Sequence, residues 1–296
     1  MRVEDALDRY VTQLRADGRS DHTIRQVERH VRALARWLEE EGREPEVGAI
    51  DHEILALFLV SDAARLRPDG RPKRATATNA LRSSVRTFFG YVHSAGHVPA
   101  NPARLVRRAR CGTPPPRAFT DDERERLVAA LDRAETWEDR RDRALFLTML
   151  GTGIRLGSAL GLDVADVDLD AGELAVRRTK GDRPGRAFLP AGTAEVLRGW
   201  IGRRPDGPVF PGRGGGRLSA RHVQRRFAGW LARAGIRRPA SPHSLRHDFA
   251  TRLYRRTGDL PLVKEALGHR SIASTIVYAR AGAERVRAAV GTADAC

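Results

Sequence analysis

Lysine is nearly missing from this 296-residue chain: Lys73, Lys180 and Lys264 are its three examples, so almost all of the 53 basic residues are arginine. Cysteine is rarer still. Cys111 and Cys296 stand 185 positions apart with no metal-ligand spacing around either, which excludes a disulfide framework and a cysteine-based zinc site. The longest apolar run, Ile54 to Val60, falls far short of the ~18 residues that a membrane span requires. No basic, apolar leader opens the chain, and the expected location is the cytoplasm, away from any membrane. Low-complexity sequence is absent as well. With 41% hydrophobic and 30% charged residues the composition is that of a globular protein, and the length suits about two domains.

What the chain has in excess is positive charge. Its 53 Lys and Arg face 37 Asp and Glu, a formal net charge of +16. Such a surplus attracts polyphosphate through counterion release, and nucleic acid is the leading partner. Codon bias in an Ala- and Gly-rich chain explains the choice of Arg over Lys, but it does not supply the excess over acids.

The N-terminal third reads as helices. From Asp21 to Glu41 the apolar residues Ile24, Val27, Val31, Leu34 and Leu38 recur at steps of three and four, while Arg25, Arg29, Arg32 and Arg36 keep the same rhythm on another face. Asp51 is placed to cap a helix running through Leu66, and Thr76 to Ser94 repeats the amphipathic pattern with Leu81, Val85, Phe88 and Val92 inward and Arg82 and Arg86 projecting. A basic helical face is either a solvated surface or a reader of DNA; two of them in one small domain favour the second reading.

Residues 110–119 are rich in proline, which cannot continue a helix, and mark the expected linker between a helical domain at 1–109 and a second domain at 120–296. Thr120 with Glu123 forms a capping box, and Asp139 to Leu150 is the pattern of a buried central helix. The one good strand pair is Glu173 to Thr179 with Arg186 to Pro190, joined by a turn-rich hairpin at 180–185. Helices are expected at Thr193 to Gly202, Ser219 to Ala234, His243 to Arg256, Leu260 to Leu267 and Ser271 to Arg280. The fold class is mainly α, with a small antiparallel β-sheet in the C-terminal domain.

Four segments of that domain belong together: Gly151-Thr-Gly-Ile-Arg155, the hairpin Lys180, Pro242-His243-Ser-Leu-Arg246-His247-Asp-Phe-Ala-Thr251, and Gly268-His269 followed nine residues on by Tyr278. Each is weak alone in so Arg-rich a chain, and a lone Tyr in an apolar helix is more often a core residue than a nucleophile. Their joint order resembles the tyrosine recombinase (phage integrase) family, most of all its Xer-type members. The resemblance covers the second domain by motif and the first by architecture, and it implies a helical core-binding domain ahead of the catalytic one, with the chain starting directly at the former.

By that resemblance the chain is a site-specific DNA recombinase working through a 3'-phosphotyrosyl intermediate, in integration, excision or dimer resolution. Attack of a phenolate on a phosphodiester adds negative charge to the non-bridging oxygens, which fixed guanidinium groups stabilise; Arg155 and Arg246 occupy the matching positions. A phenol of reference pKa ~10 needs a nearby acceptor or a cationic field to lose its proton, and His243 matches the family's general base. His269 matches its second phosphate hydrogen-bond donor, Tyr278 its nucleophile and Lys180 the general acid for the leaving 5' oxygen. Neither a metal nor another cofactor is implied. The implied partners are double-stranded recombination sites and further protomers, as a homotetramer in the synapse or a heterotetramer with a paralogous recombinase.

Three residues after the first arginine the family usually carries an acidic side chain, and here stands Ser158. Asp163 either substitutes for it or is a simple turn residue. His247 reads as a structural hydrogen-bonding histidine. Beyond Tyr278, Glu284 to Val290 sets Val286, Ala289 and Val290 at helical spacing, and related recombinases pass such a C-terminal helix to a neighbouring protomer. Two rival functions remain: a type IB topoisomerase-like relaxing enzyme, and a DNA-binding protein whose site has decayed.

Overall fold

The structure is a computed structural model that describes residues 1–109, 118–177, 185–268, 272 and 275–279. It divides into two compact units, Met1–Thr113 and Pro114–Cys296. Among the described residues no helix is long and apolar enough to cross a membrane.

The first unit is helical: α1 (Val3–Ala16), α2 (Asp21–Glu40), α3 (His52–Val60), α4 (Asp62–Arg65) and α5 (Ala75–Ser94). Helix α2 starts where the sequence predicts because Ser20 Oγ accepts a hydrogen bond from the Thr23 amide at 3.3 Å. Its predicted stripe Ile24, Val27, Val31, Leu34 and Leu38 is buried, as are Leu81, Val85, Phe88 and Val92 of α5. These two helices and α1 share one core, in which the Tyr10 and Tyr91 rings stack at 4.9 Å and Trp37 packs on Phe58 at 5.5 Å. The single helix expected from Asp51 to Leu66 is instead two. Asp51 caps α3 as predicted, but Ser61 turns extended and its hydroxyl donates to the Phe58 carbonyl at 2.7 Å, so that α4 starts afresh. A serine hydroxyl that competes for a backbone carbonyl ends a helix that apolar periodicity alone would prolong.

The second unit is built around α7 (Trp137–Thr152), against which α6 (Asp121–Asp132), α9 (Ala191–Ile201), α10 (Ala220–Arg233) and α11 (Pro242–Thr257) are arranged, with α8 (Leu156–Gly161) and α12 (Leu260–Ala266) as shorter pieces. The capping box at Thr120 and Glu123 forms, and Arg238 reaches back to both Glu123 carboxylate oxygens at 2.7 and 2.8 Å. That guanidinium holds the Glu123 carboxyl below its ordinary range. Helix α7 buries Ala144, Leu145, Phe146 and Met149 as predicted, and it also buries Asp139, Arg141 and Asp142. Those charges are matched: Asp142 accepts from Arg141 and Trp230, and Arg226 reaches both Asp142 and Asp139.

The sheet is antiparallel with strand order β1 (Val167–Asp168), β2 (Glu173–Val176), β3 (Gly185–Phe188). Glu173 pairs with Phe188 and Leu174 with Ala187, so Leu174, Val176 and Ala187 face the core while Phe188 stays exposed. Two departures from the expected pair are visible. Strand β1 is too short to show alternation, and β3 stops before Leu189, whose amide instead donates to the Gly172 carbonyl at 2.7 Å. The fold is thus mainly α with a small antiparallel sheet, as the sequence predicts. Hairpin residues 178–184, the proline-rich 110–117, and the tail from residue 280, with its expected helix at Glu284 to Val290, lie outside the described residues.

Candidate active site

Helix α7 ends on Gly153, whose φ of 66° is left-handed and whose amide closes the last turn on Met149. Glycine is required there twice over, since a Cβ would also come within 2.3 Å of the Phe249 ring. The chain turns and Arg155, half-buried, occupies the position just before α8. Helix α11 begins with Pro242 behind a reciprocal Ser241 and Ser244 cap, and His243, Arg246 and His247 follow at helical spacing on one face.

Arg246 is 2% exposed, and its two Nη atoms donate to the Gly153 carbonyl at 2.6 Å and the Leu267 carbonyl at 2.7 Å. Burial, with Arg155 nearby, pushes its pKa down to about 10, so it stays cationic at neutral pH. Burial lowers the Arg155 guanidinium in the same direction. After α12 the chain returns through the short helix α13 (Ile276–Ala279), which carries Tyr278. Tyr278 is 5% exposed and packs in a small cluster with Ala250, Val263 and Leu267. Burial raises its phenol above the ordinary value, while Arg246 and Arg155 act to lower it. The ring is thus part of the core, and the phenol lies in the field of two guanidinium groups.

Four of the six sequence-predicted site residues, Arg155, His243, Arg246 and Tyr278, come together here; Lys180 and His269 lie outside the described residues. His243 is exposed and its ring meets that of His247 at 4.7 Å, and His247 in turn packs on Tyr278 at 5.5 Å. Sequence reasoning set His247 aside from the site; its position four residues after His243 on one helix was the signal that it would share the same face. The Gly153 and Leu267 carbonyls had no signal at all, because backbone acceptors carry no residue identity. Asp163 is the turn residue: both its carboxylate oxygens take hydrogen bonds from Arg217 at 2.8 Å, and its amide donates to Asp166. It does not buttress Arg155. Ser158 is buried, one turn into α8.

In the first unit Arg25, Arg29, Arg32 and Arg36 are exposed along α2, with Arg32 near Glu28 at 3.7 Å. On α5 Arg86 is exposed, but Arg82 is half-buried. Arg29 and Arg36 border a groove of ≈ 790 Å³ together with Lys73 and Arg74. At its wall His30 of α2 and Ser84 of α5 are hydrogen-bonded at 2.9 Å. Burial and the charges of Arg29 and Lys73 push the His30 imidazole down to about 4.

Residues 117–285 match the model of the phage integrase family, and residues 7–96 match that of the phage integrase N-terminal SAM-like domain. The chain belongs to the phage integrase (tyrosine recombinase) family. Among similar proteins, the tyrosine recombinase XerC of Serratia marcescens is 38% identical over 245 residues, covering 79% of this chain and 77% of the relative. That of Xanthomonas axonopodis pv. citri is 32% identical over 284 residues, covering 92% and 91%. The fold is also that of the XerH site-specific recombinase crystallised on its difH substrate before cleavage, with a TM-score of 0.71 at 23% identity, over 96% of this chain and 83% of the other. Family membership carries the general activity, enzymatic site-specific recombination.

Proposed function

We propose that this chain breaks and rejoins duplex DNA by transesterification, with Tyr278 as nucleophile. The phenol oxygen attacks the scissile phosphorus as its proton passes to His243, a 3'-phosphotyrosyl bond forms, and the bond to the 5' oxygen breaks. Lys180 protonates that oxygen, and His269 donates a hydrogen bond to a non-bridging phosphate oxygen; both assignments rest on the family motif. Arg155 and Arg246 hold the charge that accumulates on the phosphate. Because the covalent link conserves the phosphodiester's free energy, religation is the same step reversed. The first unit supplies the core-binding domain, with Arg25, Arg29, Arg32, Arg36, Arg82 and Arg86 toward DNA. The working assembly is a tetramer on two sites, of this chain alone or with a paralogous partner, and its genomic substrate places it in the cytoplasm.

The observation that supports this reading is Arg246, buried near Tyr278 with two of its N–H donors on neutral carbonyls and no carboxylate among its described partners, so that its charge and its other donors remain for a phosphate. The test is adduct formation on a nicked suicide duplex. Tyr278→Phe is expected to abolish the adduct while leaving duplex affinity intact, and normal adduct formation by that variant would move the nucleophile elsewhere. Absence of any adduct with the unaltered protein would favour a decayed DNA-binding protein. Lys180→Ala is expected to recover cleavage on a substrate whose 5' leaving oxygen is sulfur, a leaving group that needs no acid. Recombinant products from two sites, rather than relaxation of supercoils alone, separate a recombinase from a type IB topoisomerase.

A further inference from the structure

We infer that His247 is a positioning residue for Tyr278, its imidazole ring serving as the wall that fixes the direction of the phenol. The inference rests on the reading of Tyr278 as the nucleophile. Three rings run from solvent to core in one line of contact: His243 exposed, His247 half-buried and Tyr278 buried. His243 and His247 lie 4.7 Å apart at 80°, an edge-to-face arrangement, and the His247 and Tyr278 rings lie 5.5 Å apart at 55°.

The need for such a wall follows from the element that bears the tyrosine. Helix α13 is four residues long, below the length at which a helix holds itself, so the orientation of Tyr278 is set by what the ring packs against. The cluster around it is Ala250, Val263 and Leu267, bordered by Phe249, Leu253 and Tyr254, and among the described residues the ring in contact with that of Tyr278 is His247. His247 is itself placed by α11, the helix that also carries Arg246. One rigid element therefore sets both the guanidinium proposed to bind phosphate and the ring against which the attacking phenol packs at a tilt. In-line attack is sensitive to such placement: an error of about 1 Å costs ~10²-fold in rate.

The test uses the full chain in single-turnover adduct formation on the nicked duplex, with duplex affinity measured alongside. His247→Ala is expected to keep affinity within about twofold while slowing the adduct by roughly 10- to 100-fold. His247→Phe, which restores a flat ring without its nitrogens, should return the rate to within about fivefold of the unaltered protein. His247→Leu, similar in bulk but not planar, should stay slow. Adduct formation by His247→Ala at the original rate would overturn the inference, and so would a Phe variant no faster than the Leu variant, a comparison that holds even if the Ala variant fails to fold. Tyr278→Phe in the same assay keeps the two readings apart: if it still forms adduct, the nucleophile assignment fails whatever the His247 series shows.

Discussion

Arg141 and Arg246 are buried almost equally, at 1% and 2% exposure, and they do opposite things. Arg141 donates from Nε and Nη2 to one oxygen of Asp142, with Nη1 on the Pro211 carbonyl. Arg246 has only carbonyls as hydrogen-bond partners among the described residues. A carboxylate takes hydrogen bonds and cancels the charge; a pair of carbonyls takes hydrogen bonds and leaves the charge, and the remaining N–H donors, in place. The first arrangement neutralises a cation within α7 and ties it to the Pro211 carbonyl, and the second leaves a buried cation with no carboxylate on it among the described residues. In a chain where arginine is everywhere, the identity of its neighbours separates structural arginines from binding ones.

The sharpest way to break this contrast is to remove each charge in turn. Arg246→Met is expected to lower adduct formation by at least ~10²-fold, the usual cost of losing a preorganised donor, with a smaller change in the urea midpoint. Arg141→Met should do the reverse: it leaves Asp142 in the core with Arg226 and Trp230 alone, at a cost of about 3 kcal/mol in unfolding free energy, while activity per folded molecule is retained. Equal loss of activity in both variants would erase the distinction.

Gly153→Ala tests the cradle itself. The left-handed φ and the Phe249 ring both oppose a methyl group, and the carbonyl of the same residue holds Arg246, so stability should fall by about 2 kcal/mol and cleavage should fall with it.

Much of this was legible in the residues, and what was not has physical causes. Amphipathic helices such as α2 and α5 announce themselves because one face must be buried, and the Thr120 capping box because its two hydrogen bonds are local. The break at Ser61 and the two-residue strand β1 were not legible, since a hydroxyl's choice of carbonyl and a pairing that short leave no periodic trace. Within the site, motif spacing brought Arg155, His243, Arg246 and Tyr278 forward together. It left the contact of His247 with Tyr278 unseen, because a tertiary ring contact is decided by a partner 31 positions away in sequence.

A gentler perturbation concerns the first unit. His30 has its pKa depressed from 6.5 to about 4, so it contributes stability that is full above 6.5 and is lost as pH falls toward 4, where the folded state must bury a cation beside Arg29 and Lys73. After allowance for its partial exposure the loss should amount to about 1–2 kcal/mol, read as a falling urea midpoint between pH 7 and 4 that His30→Gln flattens. The smallest effect belongs to the surface arginines. Removing Arg82 and Arg86 should weaken duplex binding evenly across sequences and reduce the salt slope by about one unit for each phosphate no longer neutralised; because Arg82 is half-buried, Arg86→Ala alone should account for most of it.

The two carbonyls that grip Arg246 belong to stretches of chain 114 residues apart, Gly153 at the end of α7 and Leu267 at the end of α12, while the arginine itself rides on α11. One side chain thereby ties three segments together. Because both stretches are held by the same guanidinium, Arg246→Met is expected to speed amide exchange in the last turns of α7 and α12 alike. Arg246 thus serves twice, as a charge near Tyr278 and as the tie between the ends of α7 and α12.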